Sequence, residues 1–569
     1  MKLPSRGRWV AALLLFGLWL GGCKDKTSSS SSTPGTTVDK KGAPRPGRTN
    51  RTSIHDLAKE GPPKDGVFRW VGGGPRYLDP NKIAETAGHE VAMQMFEGLL
   101  AADVKTGPPV PGVAERFKVS PDGKTYTFYL RKNAKWSNGR TVTAKDFEYS
   151  WKRALSPSFI SENAELLWQF IEGAHAYKKG TNKEWSSVGV KVIDDFTLEV
   201  RLKNPTPFFP DLVVNVAYAP VPHEAVEKHK ALWTRPENIV VNGAYKMTYY
   251  KHRDKIVLEK NPYYWNAKSV RIKSYEYIHS EHESQAFEMY NLGTAHYIPA
   301  LVPIEMMPKL KAQGRPDFHI DPYMCVYYYV FNTSRKPFDN VDVRRAINMA
   351  VNKDELVTNL LQGGQLPASN LVPHMFKTTI GYKSPKGDYF DPGKAKELLR
   401  RSGVKIDKLD LIFNSYEGHV KIATFIKQQL HKHLGVETSM QKMEWKSLLA
   451  KLHQGDYHWA RGSWCADYPD PLAFLQVFHS ESQNNYAKYK NPAYDELLRQ
   501  IMAEGDQKKR NALIYKAEKI LNRDAPLLPI YHYTKVYMLK PYVKGFGSHY
   551  MDYHLVKYMY FDPDWKSRQ

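Results

Sequence analysis

The stretch "RGSWCADYPDPLAF", Arg461–Phe474, holds two aspartates in different settings. Asp470 stands between Pro469 and Pro471, a turn setting where a short carboxylate can accept from nearby backbone N–H groups. Asp467 follows Cys465 by two residues and Trp464 by three, and Tyr468 comes next. No turn accounts for it. A carboxylate among a thiol, an indole and a phenol needs a partner from elsewhere.

Outward from this stretch, the chain has 569 residues, too many for one hydrophobic core, so two or three domains are expected. The composition, 42% hydrophobic and 25% charged, is that of a soluble globular protein. The formal net charge is +23. No dense Lys/Arg block carries it, which argues against a nucleic-acid arm. At the N-terminus Lys2, Arg6 and Arg8 precede the apolar run "WVAALLLFGLWL", Trp9–Leu20. That run is shorter than the ~20 residues of a membrane span and fits a signal peptide over residues 1–22. It ends in "LGGC", which resembles a bacterial lipobox with Cys23 as the lipidated residue. The Ser/Thr/Pro/Gly-rich segment that follows is too polar to pack a core, so residues 23–64 read as anchor and linker. Cys325 and Cys465 remain. In an exported protein they are one disulfide or two buried thiols, and export favours the bridge.

Strand and helix signals alternate irregularly, which argues for mixed α/β lobes. "KTYTFYLRK", Lys124–Lys132, reads as a strand. Thr143 with Asp146 forms a capping box; Asp391-Pro392 and Asn491-Pro492 open further helices, the first stopping at Gly403. "YMCVYYYVFN", Tyr323–Asn332, is aromatic and β-prone. No nucleophile elbow, H-E-x-x-H, P-loop or C-x-x-C is present. Ser402–Lys405 and Lys105–Gly107 match two short enzyme motifs in the wrong order, and "HKH", His431–His433, reads as solvated surface. No enzyme, cofactor or metal is expected.

Between Arg461 and Phe474 the sequence resembles the oligopeptide-binding proteins of bacterial ABC importers, within the large periplasmic substrate-binding family for peptides, nickel and related ligands. The likeness runs from about Val67 onward. "SPDGKTYTFYLRKNAKWSNGRTVTAKDF", "NGAYK" and "NPYYW" are general marks, whereas "CVYYY", "EWKSLL", "WCADY" and "NNYAKYKNPAYD" point to peptides. The resemblance implies an α/β, two-lobed periplasmic-binding-protein fold of type II, the three-domain peptide-binding variant with hinge crossover strands. Lobe I would take 65–96, 223–324 and 535–569, an extra domain 97–222, and lobe II 325–534. It implies that Asp467 holds the peptide's ammonium, and that Trp464, Trp445, Tyr328 and Tyr533 line the groove beside Cys465. Arg461 would receive the C-terminus of short peptides and His419 that of longer ones. It also implies a Cys325–Cys465 disulfide.

A buried ammonium needs a fixed opposite charge, and backbone pairing gives affinity that every peptide shares. Departures are Ala84 beside Glu85, Leu452 for a basic residue, "YIPAL" (Tyr297–Leu301) for a Tyr-Asn pair, and Asn215 for a histidine. Because histidine titrates near neutrality, tetrapeptide binding is expected to strengthen as pH falls toward 6. The implied protein is a monomeric lipoprotein receptor that serves an ABC permease with its ATPase. Alternatives are a murein peptide, a signalling peptide, a nickel chelate or haem as ligand, or a secreted peptidase.

Overall fold

The structure, a computed structural model, describes residues 60–103 and 107–568. The signal peptide, Cys23 and most of the linker lie outside them. Glu60, expected in the linker, is buried and ion-paired with Lys540, so the packed chain begins before Asp65.

Local chemistry accounts for the elements. In Thr125–Leu130 alternate residues Tyr126, Phe128 and Leu130 point inward, the period of a half-buried strand. The helix Ala144–Leu155 starts where the Thr143 N–H donates to Asp146 Oδ2 at 2.9 Å. Asp391 accepts from the Lys394 N–H ahead of the helix Pro392–Ser402, and Gly403 ends it at φ 65°, where a Cβ would be strained. Asn491 accepts from the Ala493 and Tyr494 N–H groups ahead of Pro492–Ala503.

The strands that matter are, in chain order, β1 (Val67–Gly72), β2 (Tyr245–Lys251), β3 (Lys255–Lys260), β4 (Ser274–His279), β5 (Tyr297–Pro299), β6 (Phe318–Phe331), β7 (Lys408–Asn414), β8 (Glu437–Met443), β9 (Trp459–Cys465) and β10 (Leu527–Leu539). They form one sheet in the order β8-β7-β9-β6-β10-β5-β1-β4-β3-β2, with Leu366–Pro367 added to β10. The aromatic run of the sequence is therefore central. The long antiparallel pair β6 and β10 joins β8-β7-β9 on one side to β5-β1-β4-β3-β2 on the other. A separate four-stranded sheet, spanning Ala114 to Arg201, lies inside the expected extra domain.

Register breaks in β6/β10 where Pro322 faces Thr534 and Val326 faces His532. Three residues of β6 there oppose one of β10, a bulge that bends the strand. Next to it Cys325 and Cys465 are directly paired across β6/β9, and their sulfurs are bonded. Gly462, opposite Tyr328, permits this close packing: a Cβ there would lie 2.5 Å from the Tyr328 ring. No helix among the described residues is long and apolar enough to cross a membrane.

Candidate functional site: an open strand edge in a closed cleft

Strand β9 is fully paired with β6 on one side, but pairs with β7 only through Trp459 and Ala460. Beyond Ala460 the β7-side edge has no strand partner among the described residues. A buried edge with free N–H and C=O groups is a template for an added strand. It faces a cavity of about 290 Å³ bordered by Arg461, Ser463, Cys465, Tyr531, Tyr533 and Lys535. Two helices close it, α1 (Glu417–Leu434) carrying His419 and α2 (Trp445–Gln454) carrying Trp445.

Arg461 is buried, its guanidinium 4.7 Å from the Tyr327 ring centre. Its Nη2 donates to the Tyr533 hydroxyl at 2.9 Å, and Nε has no partner. No carboxylate pairs with it among the described residues. Burial of a charge without an opposite one is costly, and an anion brought to this cation would offset that cost. Asp467 is the converse. It lies just past β9, accepts no hydrogen bond and meets no cation among the described residues, and burial pushes its carboxyl up to about 7. Asp470, three residues on, is satisfied: Arg510 grips it with two bonds of 2.6 and 2.8 Å, and it accepts from the Leu472 N–H.

The structure brings Arg461, His419, Trp445, Cys465 and Tyr533 to one cavity and leaves three expected residues off its wall. Alternation decides this. On β6, Tyr327 faces Arg461 and His419, whereas Tyr328 turns to the opposite core beside Phe478. Tyr328 is a core residue, not a wall of this cavity. Trp464 likewise packs on that core, its Nε1 buried and unpartnered. Asp467 lies beyond the cavity's end; its charge is felt at Glu165 and Tyr553. Leu452 is buried in the core and Asn215 accepts from the Ala217 N–H, so neither alters the cavity wall directly. The departure "YIPAL" does, through Pro299, Ala300 and Leu301.

His419 corrects the expected pH response. Burial, with Arg461 nearby, holds its imidazole well below the usual histidine range, so mild acid does not charge it. Sequence reading missed Glu90, Glu283, Tyr416 and Lys535, which border the cavity. Lys535 is paired with Asp552, and burial raises Glu90. No motif marks them; only the fold gathers them. Among the described residues no cluster of His, Cys, Asp and Glu could hold a metal ion.

Contacts tie the two sides of the cleft together. Ser415 donates to Glu281, the Gly418 N–H to Glu283, and Ser284 to Glu417. Elsewhere Glu162 holds Arg76 at 2.6 Å and His453 at 3.2 Å.

Residues 108–486 match the family model described as bacterial extracellular solute-binding proteins, family 5. The chain belongs to this family. It is 39% identical over 513 residues to the periplasmic oligopeptide-binding protein OppA of Salmonella typhimurium, covering 87% of this chain and 92% of that one. The structure of the Escherichia coli murein tripeptide binding protein MppA is similar at TM-score 0.83 and 33% identity, covering 87% of this chain and 98% of that one. An unliganded open form of MppA, at 32% identity and the coverages 88% and 98%, gives only 0.61. Sequence and coverage barely differ, so the drop reflects the arrangement of the lobes, and the present structure is shut relative to that open form. The two-lobed α/β solute-binding fold is thereby established.

Proposed function

We propose that the protein is an extracytoplasmic receptor that binds oligopeptides between two closing lobes and hands them to an ABC permease. One observation carries the reading: two oppositely charged groups, Arg461 and Asp467, lie without charge partners at either end of a free strand edge. A free peptide has the matching pieces, an ammonium, a carboxylate and an extended backbone. Six residues of extended chain span at most about 20 Å, which favours short peptides. The names of relatives, oligopeptide-binding and murein tripeptide binding, agree on such a ligand.

In this reading the extra domain is 97–222 and the lobes are divided as the resemblance implies. Cys23 carries the lipid that holds a monomeric receptor at the membrane; Cys23→Ser then releases the protein in soluble form, and retention in the detergent phase rejects the anchor. Binding is tested by native mass spectrometry of purified protein, where retained peptides with free termini are expected. Retention of a ligand lacking either terminus, or cleavage of added peptides, contradicts the reading.

A further inference from the structure

Glu283 is a buried carboxylate with half of its bonding capacity unused. Its Oε1 accepts from the Gly418 N–H at 3.0 Å, while Oε2 is buried with no partner among the described residues. The residue is 6% exposed and borders the cavity. Around it lie further acids. Glu281 accepts from Ser415 Oγ at 2.5 Å and also borders the cavity. Burial pushes the Glu283 carboxyl up to about 7, and Glu417 and Glu305 add to that rise while Lys421, itself paired with Glu305, opposes it, so a cation brought to Glu283 would stabilise its charged form. The chain carries +23 overall, so this acidity is local to the cleft.

The adjoining wall is apolar: Pro299, Leu301, Ile304, Met307, Leu361 and Ile422. Carboxylate and wall meet at one point. A Cβ on Gly418 would lie 2.9 Å from Glu283 Oε1 and 3.4 Å from Ile304 Cδ1. A long aliphatic stem along such a wall, ending in a cation at the carboxylate, satisfies both chemistries at once. We propose that Glu283, supported by Glu281, forms a subsite for a lysine-type side chain of the ligand. This deepens the peptide reading and rests on it.

The competing role is mechanical: Glu283 could serve only to tie the shut lobes through Gly418. Calorimetry on the full soluble chain separates the two. Wild-type and Glu283→Gln protein are titrated with alanine tri- and tetrapeptides bearing lysine, or the neutral isostere norleucine, at each position in turn. Charged hydrogen bonds support a preference of about tenfold or more. The expected result is that at one position lysine outbinds norleucine by about that factor in wild type. In Glu283→Gln, whose amide oxygen can still accept from the Gly418 N–H, the lysine-to-norleucine ratio falls to about one. No lysine preference at any position in wild type overturns the subsite without reliance on the variant. An unchanged ratio in Glu283→Gln, or an equal loss for lysine and norleucine peptides, overturns it too. Norleucine peptides report separately on the parent reading: if they bind, peptide recognition stands whatever the subsite does, and if no peptide binds, both fail.

Discussion

The loop after β9 carries two aspartates three residues apart, and the two faces of that loop treat charge differently. On one face Asp470 and Arg510 are both buried and grip each other through two hydrogen bonds. On the other, Asp467 and Arg461 belong to the same stretch and touch no opposite charge among the described residues. The first pair is complete without any ligand, and its charges serve the fold. The second pair is separated along a free strand edge, and in the proposed reading its charges are completed by a ligand with two charged ends. The lesson is that burial and charge alone do not mark a binding residue; the missing partner does.

The largest expected effect falls on the complete pair. Asp470→Ala leaves Arg510 buried and unpaired, which costs about 3–5 kcal/mol of stability. Chemical denaturation measures it, and a loss under about 1 kcal/mol, the range of exposed pairs, would erase the contrast between the two faces. Next comes Asp467→Ala, expected to weaken peptide binding by about 2–5 kcal/mol with little loss of stability, because no protein partner is abandoned. Calorimetry and denaturation together test this, and a stability loss matching that of Asp470→Ala would make Asp467 structural.

Arg461→Ala should weaken tripeptides by about 1.5–3 kcal/mol, the scale of a charged hydrogen bond, and tetrapeptides less. His419→Ala should do the reverse, by about 1 kcal/mol, since a neutral imidazole makes an ordinary hydrogen bond. Titrations of each variant with both lengths check it; equal losses across lengths would remove the division of labour. The smallest effect is with pH. Burial pushes the Asp467 carboxyl up to about 7. An ammonium beside it favours the charged form and lowers that value, so binding must release a proton wherever the free carboxyl holds one. Affinity therefore falls as pH drops through about 7, by at most about 1.4 kcal/mol per pH unit, and it also falls at higher pH once the ligand's own amine, with a pKa of about 8, loses its proton. Neutral His419 adds no opposing gain. Tightening on acidification would show that another group controls the site.

Much of the architecture was legible in local chemistry. The caps at Thr143, Asp391 and Asn491 opened helices where expected, and the aromatic run Tyr323–Asn332 fell within the central strand β6. Export favoured the Cys325–Cys465 bond and the resemblance implied it, and direct pairing of the two cysteines across β6/β9 explains it. Which way a strand residue points was not legible. Tyr327 and Tyr328 are alike in a string, yet period-2 geometry sends one to Arg461 and the other to the core. The same parity hides Trp464. Titration was hidden as well: His419 reads as a pH-sensitive cation until its burial is known. Glu90 and Glu283 are separated by nearly 200 residues of chain and share a cavity only through the sheet order.

The central claim, that Asp467 waits for the ligand's ammonium, is tested most directly by one calorimetric comparison. A short peptide with a free amine and its N-acetylated counterpart are titrated into wild-type protein at pH 7.5. Acetylation is expected to weaken binding about as much as Asp467→Ala does, by about 2–5 kcal/mol. Equal affinity for the two peptides would contradict it.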